Sequence, residues 1–195
     1  MSKDENQLDL MLEAQLSVEF SDPDLNREQT YSFCLNSMAL GASSVLEILH
    51  YRTFLADKTE SKNPKEYAEQ LEAERDDIRE SLADVLNYTF CLYNELKLDV
   101  PEFSQIMEFK ESMPMLIRSD KVLASHRLLT VIGSISTVVW LELDQGLKTP
   151  MAKQSELPDA TDIDLEEDLL RPVLELLAIV DTLCHHTGEG IRGII

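Results

Sequence analysis

Glycine and proline are scarce, at six and seven residues in a chain of 195. A fold of many short strands needs frequent turns, so the scarcity argues against a β-sandwich and against a low-complexity chain. Cysteine is scarcer still. The three cysteines (Cys34, Cys91, Cys184) lie far apart among apolar neighbours, and no CxxC pair exists. That pattern argues against a structural zinc site and for buried free thiols in a reducing compartment. No apolar signal core appears in the opening MSKDENQLDLMLEAQ. The longest apolar stretch, Leu128 to Leu141, is broken by Thr, Ser and Gly and reads as too short to span a bilayer. The expected location is the cytoplasm, with no membrane partner. Positive charge is short as well: 17 Lys and Arg face 37 Asp and Glu, a net charge of −20. Such a surface repels nucleic-acid phosphates and anionic lipid, so no nucleic-acid partner is expected. A free nucleotide would be repelled too, unless a cation bridged the two.

What remains is ordinary for a soluble globular protein, with 44% hydrophobic and 28% charged residues. The length suits one domain or two small halves sharing a core. Apolar residues recur at helical spacing nearly throughout. Asn6 to Phe20 carries Leu8, Met11, Leu12, Leu16 and Val18, and Ser21-Asp-Pro23 stops it. Asn26 caps a long helix from Arg27 to about Leu55. A polar loop follows, and Asn63-Pro64 opens the clearest helix, Lys65 to about Leu98. Its Leu71, Ile78, Leu82, Val85, Thr89, Leu92 and Leu96 fall on one face. A short helix runs from Phe103 to about Met113.

The second half repeats this layout. Asp120 to about Asp144 is apolar, with a small-residue middle from Gly133 to Thr137. A polar loop, Gln145 to Asp164, contains Pro150 and Pro158. Leu165 to about His186 is helical, with Pro172 expected to kink it or restart its first turn. The expected fold is all-α: a four-helix-bundle core of two tandem helical hairpins with short flanking helices. Residues 1–195 form one domain, with one hairpin and its N-terminal helix in 1–114 and a second, degenerate hairpin in 115–195.

Two acids stand out. Asp84 lies beside the apolar face, in Glu80-Ser-Leu-Ala-Asp-Val-Leu-Asn-Tyr88, on one stripe with Asp77, Ser81 and Tyr88. A carboxylate at that edge either reaches water or needs a partner or a metal. Glu47 is the only acid between Gln29 and Leu55, and His50 follows it by three residues. At that spacing both side chains present from one helix face.

These segments, with Leu8-Asp-Leu-Met-Leu-Glu-Ala-Gln15 and Leu98-Asp-Val-Pro-Glu102, resemble the all-α nucleoside triphosphate pyrophosphohydrolases: MazG-like proteins, dimeric dUTPases and dCTPases. The resemblance covers roughly Leu8 to Pro114. It implies hydrolysis of a ribo- or deoxynucleoside triphosphate to the monophosphate and pyrophosphate, through Mg2+ or Mn2+ held by carboxylates. Carried over residue by residue, it makes Glu47 and Asp84 metal ligands and His50 a ligand or catalytic base. Tyr88 becomes a substrate contact, and Tyr51 and Trp140 are further stacking candidates against a core placement. The family's acids at spacing three read Ser44-Val-Leu-Glu47-Ile-Leu-His50, and its Glu-x-x-Asp reads Ser81-Leu-Ala-Asp84, so the site is reduced. In the second hairpin no acid lies between Lys121 and Leu141, and Leu169-Leu-Arg-Pro172 stands where acids are expected. No site is expected there. The second hairpin would do the job of a second subunit, and a homodimer remains compatible with this reading. Two other readings stand beside the enzyme: a non-catalytic relative binding a nucleotide or protein, and an acidic helical adaptor that mimics nucleic acid.

Overall fold

The computed structural model describes residues 13–18, 24–59, 64–148, 164–188 and 190–194. Four long helices make the bundle: α1 (Arg27–Thr59), α2 (Pro64–Leu96), α5 (Lys121–Lys148) and α6 (Leu165–Thr187). Two short ones, α3 (Phe103–Ser112) and α4 (Met115–Ser119), carry the chain from the first hairpin to the second. The described residues contain no strand. The expected all-α bundle of two hairpins is therefore what forms. Most of the N-terminal helix expected over residues 6–20 and the loop with Pro150 and Pro158 lie outside the described residues; residues 13–17 are helical.

The helix starts are written in the sequence. Asn26 and Gln29 cap α1 reciprocally, each side-chain oxygen accepting the other's backbone N–H at 2.9 Å. Asp120 Oδ1 accepts from the N–H groups of Val122 and Leu123 at the head of α5. Asp164 accepts from Glu166 and Glu167 at the head of α6. Gly188, at φ +97°, closes α6 in the left-handed conformation that glycine adopts without steric cost. Pro172 does not restart α6, which is continuous from Leu165. Leu169 and Val173, both fully buried, anchor the helix on either side of the missing N–H.

Polar contacts fix the packing order. Arg52 near the end of α1 meets Glu74 near the start of α2, so the two run antiparallel. Arg27 at the start of α1 meets Glu142 late in α5, so these are antiparallel as well. Arg79 donates to the Thr187 carbonyl, which joins the middle of α2 to the end of α6. One core fills the space between them, and the predicted stripe from Ile78 to Leu96 is buried in it. Gln15 ties the N-terminal segment to the end of α2: its amide reaches Asn94 Oδ1 and the Leu98 carbonyl, and accepts from the Val100 N–H.

The two hairpins repeat each other at the level of single residues. Residues 34–50 of α1 and 124–140 of α5 have the same order of buried, half-buried and exposed positions. Residues 78–86 of α2 and 169–177 of α6 follow nearly the same order. With α1 antiparallel to α5, and α2 to α6, the halves are related by an approximate internal two-fold axis.

Residues 27–52 and 121–144 are each long and apolar enough to cross a membrane by length and composition. This differs from the sequence reading, which counted only the uninterrupted apolar run. Both are long helices of the bundle, and 39% of each stretch is buried in it.

Candidate functional site

Glu47, His50 and Asp84 are all exposed. None has a hydrogen-bond or ion-pair partner among the described residues. Asp84 therefore takes the simpler of its two expected states, an edge carboxylate in water. The helix register keeps it away from Glu47. A Cβ on Gly41 would lie 2.8 Å from the Ser81 carbonyl oxygen and 3.0 Å from Val85 Cγ2, which places Gly41 of α1 opposite residues 81–85 of α2. Glu47 is six residues further along α1, roughly 9 Å at helical rise. Among the described residues, no group of three or more His, Cys, Asp or Glu side chains could hold a metal ion.

Tyr88 is half-buried and packs edge-on against Phe33, with ring centroids 5.6 Å apart. Tyr51 and Trp140 are not core residues; they are 61% and 39% exposed. Trp140 borders an open groove of about 380 Å³ with Asn26, Arg27, Glu28, Leu143 and Asp144.

The internal repeat relocates the second half's acids. Pro172-Val-Leu-Glu175, not Leu169-Leu-Arg-Pro172, is equivalent to Ser81-Leu-Ala-Asp84. One acid is thus retained, and it is neutralised. Arg127 binds Glu175 with two hydrogen bonds, 2.6 and 2.9 Å long.

Three arrangements were not legible in the sequence. Asp181, 2% exposed, receives Lys110 Nζ at 2.6 Å and the Ile191 N–H at 3.2 Å, while His185 Nδ1 lies 2.7 Å from its backbone carbonyl. This buried pair clasps α3 and the C-terminal turn to α6. Cys34 and Cys91, distant in sequence, meet across α1 and α2, where a shared hydrogen bond and burial raise the Cys34 pKa. All three cysteines are buried free thiols, as expected.

The third is a small cationic pocket near the top of the bundle, between the end of α1 and the starts of α2 and α5. Its walls are Arg52, Arg75, Lys121 and His186, over Leu49, Ile78, Leu183 and Thr187. No acid lines it, although acids outnumber Lys and Arg by 37 to 17 in the chain. Burial lowers the Lys121 pKa, the Arg52 charge lowers it further, and Glu74 and Asp120 oppose this. Burial also lowers the His186 pKa, helped by Lys121, His185 and Lys110 and opposed by Asp120. The four residues come from four helices, so no local spacing announces them. Comparison with known proteins adds nothing to this geometry: no family model, curated protein or solved structure matches the chain.

Proposed function

We propose that this chain is a non-catalytic MazG-like helical bundle that acts by binding, and that its docking surface is the outer face of α1 and α5. The observation that carries this is the charge of that face. The exposed residues of α1 from Phe33 to Tyr51 include Leu40, Ser43, Ser44 and His50, with Glu47 the only carboxylate. The exposed residues of α5 from His126 to Leu141 include no Asp, Glu, Lys or Arg. By contrast, exposed positions of α2 carry Glu66, Glu69, Glu72, Asp76, Asp77, Glu80 and Asp84. A stretch with a single carboxylate on so acidic a molecule suits burial against protein.

The occupant is a second copy of the chain. In an isologous contact the same patch of both copies meets. The face also has relief. Phe33, Leu40 and Tyr51 stand out from α1 and Trp140 and Leu141 from α5, while Ser43, Ser44, Gly133 and Ser134 leave the middle of both helices low. Knobs of one copy then meet hollows of the other. The enzyme reading has less support, because Glu47, His50 and Asp84 do not gather into a ligand set.

Two measurements test this together. Sedimentation should give a concentration-dependent dimer, and Leu40→Glu should render it monomeric with an unchanged circular dichroism spectrum. Pyrophosphate release should be absent with every canonical nucleoside triphosphate in Mg2+ or Mn2+. A monomer at high concentration sinks the docking surface. Turnover that vanishes in Asp84→Ala replaces the whole reading with the reduced pyrophosphohydrolase.

A further inference from the structure

The geometry points to an oxyanion site in the cationic pocket, built to take one phosphoryl oxygen of a small phosphate-bearing ligand. Arg52 and Arg75 each have an acidic neighbour, Glu74 at 3.0 Å and Glu72 at 3.4 Å. Lys121 is half-buried and makes no ion pair or hydrogen bond among the described residues, with Glu74 and Asp120 acting on it only at longer range. It is also the first residue of α5, directly after Asp120, whose carboxylate caps the helix by accepting from the Val122 and Leu123 N–H groups. A half-buried ammonium beside a guanidinium is unfavourable on both counts, and Glu74 and Asp120 offset this only in part. An anion between Lys121, Arg52, Arg75 and His186 would be attracted by the cationic groups that line the pocket and would partner the unpaired Lys121 ammonium.

The size of the pocket selects the ligand. Its interior volume is about 10 Å³. That is close to the space needed for one water molecule. A single oxygen enters, and the rest of the anion stays at the mouth among the donors. Arg and Lys together suit phosphate, Arg as a planar fork and Lys as a point charge. A base and sugar do not fit inside, so a nucleotide would bind through its phosphate alone. Because the pocket draws on α1, α2, α5 and α6, an occupied site also ties the two hairpins together. This inference stands apart from the docking surface, and neither test bears on the other.

The test is thermal unfolding of the full chain against increasing inorganic phosphate or a nucleoside monophosphate, with ionic strength held constant by sodium chloride. Wild type should show saturable stabilisation, as mass action on the folded state requires. Lys121→Met should bind about tenfold more weakly or worse, the scale of losing one hydrogen bond to a charged group. The same variant should melt higher than wild type when phosphate is absent, because the repelled charge is gone. Saturation by both ligands identifies a free oxyanion as sufficient; saturation by the monophosphate alone identifies a nucleotide-borne phosphate. Failure of both to saturate, equal stabilisation of Lys121→Met, or a lower ligand-free melting point for that variant would overturn the site.

Discussion

Single residues decide more of this fold than the apolar pattern suggests. Asp181 is buried with its charge matched by Lys110. Removing one partner of such a pair strands the other, so Lys110→Met should cost about 3–5 kcal/mol in denaturant unfolding. Adding Asp181→Asn to that variant should recover a good part of the loss, a coupling that a double-mutant cycle measures. His186 gives a second, pH-dependent signature. Its folded pKa lies below the ordinary value of 6.5, so the unfolded chain takes up the proton first as pH falls. Stability from this group is intact above the unfolded pKa and declines below it, until the folded pKa is passed. Urea midpoints at about pH 7.5 and about pH 5.5 should therefore differ less in His186→Gln than in wild type. Neither residue was legible beforehand. Lys110 and Asp181 are 71 positions apart, and only the path of α3 along α6 joins them. Asp84 and Glu47 were legible as residue types, but the register of α1 on α2 that separates them was not.

Helices were the readable level. Periodicity and capping residues located all four long helices within a few positions, because both signals are local. The short α4 was missed: a five-residue turn between Pro114 and Asp120 has too few positions for a period to show. Close approach between helices was also hidden, and glycine reveals it. Gly41 faces the α2 backbone with no room for a methyl group, whereas nothing lies within 4 Å of the corresponding Cβ on Gly133. Gly41→Ala should then destabilise by about 1–3 kcal/mol through overpacking. Gly133→Ala should instead stabilise by roughly 0.5–1 kcal/mol, the gain expected in a helix interior. Opposite shifts in melting temperature would verify both, and equal signs would contradict the α1–α2 register.

The whole molecule depends on both hairpins. Its single core draws buried residues from α1, α2, α5 and α6, and neither hairpin can close its apolar face alone. Separately produced fragments 1–114 and 115–195 should each unfold without a cooperative transition, and mixing them should restore one in calorimetry. Two copies of one hairpin sequence, in a symmetric dimer, would have to share every substitution. A chain that carries both hairpins is free of that restraint, and the charges show how far it has moved. Arg52 has Glu142 at its equivalent position, Arg75 has Glu166, and His186 has Glu95. At these three positions a basic group at one end of the bundle thus has an acidic group at the matching place on the other. These exchanges place a charge difference along the helix axes that strict two-fold symmetry would forbid, and in an electric field they exert a turning moment on a molecule that would otherwise respond only through its net charge.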